Sequence, residues 1–202
     1  MEAKARGWFA IGMEGVSKPG NAGALLRCAH AFGAAFLFAV GDSPGLAATR
    51  ATDTSDATRH IPFYRWPDPA SLVLPRFCRL VGVELIEEAI PLPSFRHPLQ
   101  AAYVFGPERG TLSPAMLSRC DAVVRIPTRF ALNLAVAGAI VMYDRLLAFG
   151  RFAARPVSPT ADPEPVAAHR HGGPRFRRDT PPLLAASGGA GRGGDGQRGG
   201  LA

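Results

Sequence analysis

Five short and almost uninterrupted apolar runs constrain this chain more than any other feature: Trp8–Met13, Ala35–Val40, Arg79–Leu85, Ala101–Phe105 and Ala122–Ile126. Strands of this length without in-out alternation have no solvent face, so both of their faces must be covered, which is the condition of strands in a parallel sheet. The stretches between them supply crossover helices, expected at about Asn21–Phe32, Pro69–Leu74, Pro114–Cys120 and Leu132–Phe149. The pattern predicts an α/β fold, a parallel sheet flanked by helices.

The 202 residues are enough for one domain with a sizeable core and some excess. From about residue 156 the composition turns to Pro, Gly, Arg and Ala, ending in Gly188-Gly189-Ala190-Gly191-Arg192-Gly193-Gly194. Such a segment buries too little apolar surface to offset the entropy of ordering it. The expected organisation is therefore a folded domain over 1–155 and a disordered Pro/Gly/Arg-rich tail over 156–202.

Charge follows the same division. Of 23 basic and 16 acidic side chains, eight arginines and four acids lie from Arg151 onward. The basicity is compatible with a polyanionic partner such as RNA, although part of it sits in the tail. Cys28, Cys78 and Cys120 are odd in number and lack Cys-x-x-Cys spacing or a nearby His cluster, so neither a disulfide framework nor a metal site is expected, only reduced, buried thiols. The longest apolar run, Leu134–Tyr143, is about half of the ~20 residues that cross a bilayer, and the first residues lack the apolar core of a secretion signal. A soluble, cytoplasmic protein without membrane association is expected.

Three islands carry unusual chemistry. In Lys18-Pro19-Gly20-Asn21-Ala22-Gly23-Ala24-Leu25-Leu26-Arg27 a helix begins, for which Asn21 is a suitable cap and Gly33 a suitable end. Arg27 and His30 share one face of it. The island is either an ordinary capped helix or an anion-binding helix start with Arg27 as counter-charge.

In Phe105-Gly106-Pro107-Glu108-Arg109-Gly110-Thr111-Leu112-Ser113-Pro114 a buried strand runs into two glycines framing a Pro-Glu-Arg triplet. In open parallel sheets ligands bind just beyond such strand ends. The alternative is a tight turn leading into a helix capped at Ser113. The Gly-x-Gly-x-x-Gly and Gly-x-x-x-x-Gly-Lys-Ser/Thr signatures are absent from this strand-end loop, which disfavours dinucleotides and nucleoside triphosphates there.

In the third island, Ile126-Pro127-Thr128-Arg129-Phe130-Ala131-Leu132-Asn133, the chain enters a helix that has no charge from Leu134 to Tyr143 and should therefore be buried all round, a second subunit being one way to cover it. Asn133 is the polar group at its start, with capping and ligand binding both open to it.

In this order and spacing the islands resemble the three motifs of the SPOUT superfamily, specifically its TrmH-like (SpoU) branch of RNA ribose methyltransferases. Asn21, Gly23 and Arg27 with Phe32-Gly33 match the first motif, Gly106, Glu108 and Gly110 the second, and Leu132-Asn133 with the small-residue helix the third, over roughly residues 8–150. Ala131 stands where the family usually has Ser, and the 126–132 loop is shorter than in the best-known members.

The resemblance implies a deep trefoil knot in the C-terminal part of the sheet, S-adenosylmethionine as cofactor, and a homodimer with each active site at the subunit interface. It places the cofactor against Phe105, Gly106, Pro107, Glu108, Gly110, Ile126, Leu132 and Asn133, and catalytic roles on Arg27, Asn21, Glu108 and Asn133. The implied reaction is methyl transfer to a ribose 2′-oxygen of tRNA or ribosomal RNA. A catalytically inactive RNA-binding dimer with the same fold is the alternative. Arg27 is assigned to the ribose hydroxyl, but a guanidinium with a pKa above about 12 is a poor base, so binding of the adjacent phosphate and of developing oxyanion is the preferred role.

Overall fold

The computed structural model describes residues 7–43 and 57–150. The expected tail, from 156 onward, lies outside the described residues.

Among the described residues seven parallel strands form one sheet: β1 (Trp8–Glu14), β2 (Phe36–Val40), β3 (Phe63–Trp66), β4 (Arg79–Val83), β5 (Ile90–Pro91), β6 (Gln100–Phe105) and β7 (Ala122–Arg125). Their spatial order is β3-β2-β1-β6-β4-β7-β5. The helices are α1 (Pro19–Ala31), α2 (Ala57–His60), α3 (Pro114–Arg119) and α4 (Leu134–Phe149), with a 3₁₀ turn at Leu92–Ser94. The five apolar runs became β1, β2, β4, β6 and β7. The strands β3 and β5 were not expected.

Period-two alternation divides the core into two layers. Ile11, Met13, Leu37, Tyr103 and Phe105 face α1 and α4, packing on Leu25, Leu26, Val141 and Met142. Ala10, Phe38, Leu80, Ala102 and Val104 face the other way, toward Leu72, Leu112 and Met116 of α3. Both faces of β1 and β6 are thus covered, as their continuous apolarity required. Between α1 and α4 the approach is close: a Cβ at Gly138 would overlap the Leu25 side chain.

Three expectations need correction. Residues 69–71 form a turn and 72–74 irregular backbone, not a helix. Asp68 and Ser71 close a local turn on each other's polar groups, and Arg119 of α3 takes the carbonyls of Pro69, Ala70 and Leu72, acceptors that helical turns would need. Second, α4 is not buried all round by its own chain, for Val136 is 48% and Tyr143 46% exposed, which leaves the burial expected of it to a second subunit. Third, the free cysteines are only partly buried, though burial pushes the Cys78 and Cys120 thiols up to about 11 and leaves them protonated at neutral pH.

At the N-terminal edge of the sheet, Arg145 is only 4% exposed. Its guanidinium donates to the carbonyls of Trp8, Pro98 and Leu99 and to the Tyr103 hydroxyl. The hydroxyl in turn meets His97 Nδ1 at 2.6 Å, and His97 Nε2 lies 2.9 Å from Asp144. This network ties α4 to β1 and β6 at the end of the sheet away from the strand-end loops.

Candidate active site

The chain leaves β1 toward β2 on one side, whereas β6 connects to β7 on the other side, beyond β4. Such a reversal opens a crevice at the C-terminal strand ends. A cleft of about 300 Å³ lies there, lined by Val83–Leu85 at the end of β4, by Phe105, Gly106, Pro107, Glu108 and Gly110 at the end of β6, by Ile126, Thr128 and Ala131–Asn133 after β7, by Leu134 and Ala137 of α4, and by Lys18 and Asn21 at the start of α1.

Helix α1 begins at Pro19, whose fixed φ suits the first helical position, with Lys18 as its cap residue. Asn21 is therefore not the cap, and its side chain is released for another use. Nor does the first turn contain an acid. Glu108 supplies one from 87 residues away: its Oε1 accepts from the Lys18 amide at 3.1 Å and Asn21 Nδ2 at 3.0 Å, and its Oε2 from the Ser17 amide and hydroxyl, each at 3.1 Å. A carboxylate at a helix start complements the positive end of its dipole.

Partial burial pushes the Glu108 carboxyl up. Hydrogen bonds from its own backbone amide, from Ser17, from Asn21 and from Lys18 outweigh that and hold it below the usual glutamate range. Since an ionised carboxylate only accepts, Asn21 must turn its NH₂ toward Glu108 and its carbonyl oxygen the other way. That oxygen accepts from Asn133 Nδ2 at 2.8 Å, and Asn133 Oδ1 accepts from the Ala135 amide at 2.9 Å. Asn133 thus caps α4 and bridges to α1 at once. One directional chain, Glu108–Asn21–Asn133, links all three islands.

Two further acids act beside it. Glu14, at the end of β1 and 9% exposed, accepts from the Ser113 amide and hydroxyl, while the Ser113 oxygen caps α3 by accepting from Met116. Glu84, just after β4, accepts from the Leu85 amide at 3.0 Å and the Leu112 amide at 2.8 Å. Gly106 makes room for this: a Cβ there would stand 2.9 Å from the Leu112 nitrogen and 3.1 Å from Glu84 Oε2. Neither acid was singled out from sequence. The available signal was an acid at the C-terminal end of each of two apolar runs, Glu14 closing β1 and Glu84 following β4.

Nine of the ten expected site residues line the cleft: Asn21, Phe105, Gly106, Pro107, Glu108, Gly110, Ile126, Leu132 and Asn133. Arg27 does not. It is exposed on α1, six residues or roughly 9 Å along the axis beyond Asn21. His30, one turn further, stacks on His60 with ring centroids 5.1 Å apart. Among the described residues there is no cluster of acids, histidines and cysteines suited to a metal.

Fold and site together define an open parallel α/β protein that presents a small-molecule cleft, built from backbone-rich loops, at its topological switch point. The SpoU rRNA Methylase family model matches residues 9–143, two thirds of the chain, and the chain belongs to that family. It is 28% identical over 142 residues to the 23S rRNA (guanosine-2′-O-)-methyltransferase RlmB of Acinetobacter baylyi, covering 66% of this chain and 57% of that protein. The corresponding Nitrosomonas europaea protein is 30% identical over 142 residues, covering 65% and 53%. The chain thus spans little more than half the length of these relatives. The crystal structure of the SpoU methyltransferase AviRb from Streptomyces viridochromogenes, in complex with the cofactor AdoMet, superposes with a TM-score of 0.58 at 23% identity, over 70% of this chain and 60% of that one. This likeness is one of fold.

Proposed function

We propose that this protein methylates a ribose 2′-oxygen of RNA, transfer or ribosomal, with S-adenosylmethionine as methyl donor, and that it does so as a cytoplasmic homodimer. The observation that carries the reading is the Glu108–Asn21–Asn133 chain, which gathers the three islands around a single cleft. Membership of the SpoU family and the activity named for the Acinetobacter and Nitrosomonas relatives support it.

The cleft suits the donor. Val83, Leu85, Phe105, Ile126, Leu132 and Leu134 offer apolar walls for a purine, and the turn around Gly106 and Gly110 offers backbone polar groups in close reach. When bound, S-adenosylmethionine supplies an electrophilic methyl group on a sulfonium. Glu108 and Asn133 hold the two lining loops at fixed spacing, so the cleft is organised before any ligand enters.

Arg27 stands outside the cleft of its own chain, on the helix that packs against α4. The exposed Val136 and Tyr143 of α4 give a second copy an apolar stripe to cover. In such a dimer Arg27 serves the partner's cleft, where its guanidinium binds the phosphate next to the target ribose and stabilises negative charge as the hydroxyl loses its proton. The reading extends to the C-terminal trefoil knot and to a catalytic domain within residues 1–155. Membership of the SpoU family over residues 9–143 supports the knot.

The test is a map of 2′-O-methyl positions in RNA from cells with and without this protein, joined to label transfer by the purified chain. A site present only with the protein is expected. Identical maps and no transfer would leave the inactive RNA-binding dimer in its place.

A further inference from the structure

We propose that Glu84 is a cofactor-binding residue that accepts hydrogen bonds from the ribose hydroxyls of the adenosyl group. This inference rests on the methyl-donor reading above and names the side chain that recognises the nucleoside.

Among the described residues, Lys18, Glu84 and Glu108 are the charged ones lining the cleft, and of these three the two glutamates have acceptors. A carboxylate has about four lone-pair sites in its two oxygens. Glu108 spends its acceptors on four donors from Ser17, Lys18 and Asn21. Glu84 receives two, the Leu85 amide on Oε1 and the Leu112 amide on Oε2. Each of its oxygens therefore keeps one acceptor site, in a carboxylate that two backbone segments hold still.

The ligand that such a group selects must donate, and must donate twice from neighbouring atoms to use both oxygens. The vicinal 2′ and 3′ hydroxyls of a ribose meet this requirement. An acid after a strand end serves the same purpose in dinucleotide-binding sheets, where it accepts from a ribose hydroxyl. A Cβ at Gly106 would stand 3.1 Å from Glu84 Oε2, so the glycine leaves the carboxylate its place in the cleft lining. The methionine ammonium is another double donor, and the choice of probe separates it from the ribose.

The experiment is calorimetric and requires no turnover. Full-length wild type and the Glu84→Ala and Glu84→Gln variants are titrated with 5′-methylthioadenosine, which lacks the amino-acid group, and with its 2′-deoxy and 3′-deoxy forms. Wild type should bind the deoxy forms more weakly, on the order of tenfold for each hydroxyl removed. Both variants should bind all three probes about equally, at the weakened level. Circular dichroism establishes that each variant is folded.

Unchanged discrimination in the variants would overturn the proposal, as would wild type that binds deoxy and parent probes alike, whatever the variants do. Variants weakened toward S-adenosylhomocysteine but not toward methylthioadenosine would assign Glu84 to the ammonium and also overturn it. Wild type that binds neither S-adenosylmethionine nor any of the thioethers would instead remove the methyl-donor reading, and this inference with it.

Discussion

Asn133 donates its side-chain amide to the Asn21 carbonyl oxygen at 2.8 Å, across 112 residues of sequence. Neither residue determines which way its amide points. The two ends of the chain do: the ionised Glu108 carboxylate only accepts and so takes Asn21 Nδ2, and the Ala135 amide only donates and so takes Asn133 Oδ1. Replacing Glu108 by Gln puts an amide NH₂ among the donors of Ser17, Lys18 and Asn21. Loss of about 1–3 kcal/mol is expected in urea unfolding, with weakened cofactor binding by calorimetry. Stability and binding equal to wild type would show that the three islands are held together by something else.

The buried histidine predicts an acid sensitivity. Burial lowers the His97 pKa, outweighing the hydrogen bond and charge of Asp144, and Arg145 pushes it the same way. A histidine neutral in the fold binds its proton more readily once unfolded, so its contribution is whole above the unfolded value of about 6.5 and is lost as pH falls through the folded value. Thermal unfolding from pH 7.5 down to 5 should show a decline that His97→Phe flattens, from a lower starting stability. An equally steep decline in the variant would place the sensitivity elsewhere.

Close approach of α1 and α4 depends on Gly138, where a Cβ would overlap the Leu25 side chain. Gly138→Val should cost about 1–3 kcal/mol through overpacking, in spite of the better helix propensity of valine. A variant as stable as wild type in denaturant titration would mean that the two helices separate freely.

The exposed stripe of α4 makes oligomeric state a sharp readout. Tyr143→Glu sets a charge where the proposed dimer buries an aromatic ring, so sedimentation velocity should change from dimer to monomer, and methyl transfer should fall with it. A variant that remains dimeric, or a wild type that sediments as a monomer, would contradict an interface through α4.

Legibility of the sequence followed burial. The strands β1, β2, β4, β6 and β7 were readable because sheet-centre strands covered on both faces become unbroken apolar runs. The edge strand β3, with Tyr64 and Arg65 exposed and Pro62 and Pro67 at its borders, carries no such run, and β5 has only two residues. Ser113 as the cap of α3 and Gly33 as the left-handed end of α1 were legible because both are local decisions. Asn21 was misread as a cap because Pro19 fixes the helix start earlier, and its true partners lie 87 and 112 residues away. Glu14 and Glu84 gave no local signal beyond an acid at a strand end. Their importance comes from the backbone amides of Ser113 and Leu112, which only folding brings to them.

On the proposed reading these segments form one methyl-transfer site, to which Arg27 contributes from outside its own cleft. It is tested most directly by measuring S-adenosylmethionine affinity and methyl transfer to RNA side by side in wild type and Arg27→Ala. The expected result is binding in both with nearly equal affinity, and transfer in wild type alone, reduced by at least about a hundredfold in the variant. Transfer that survives the loss of Arg27, or a wild type that binds no cofactor, would contradict it.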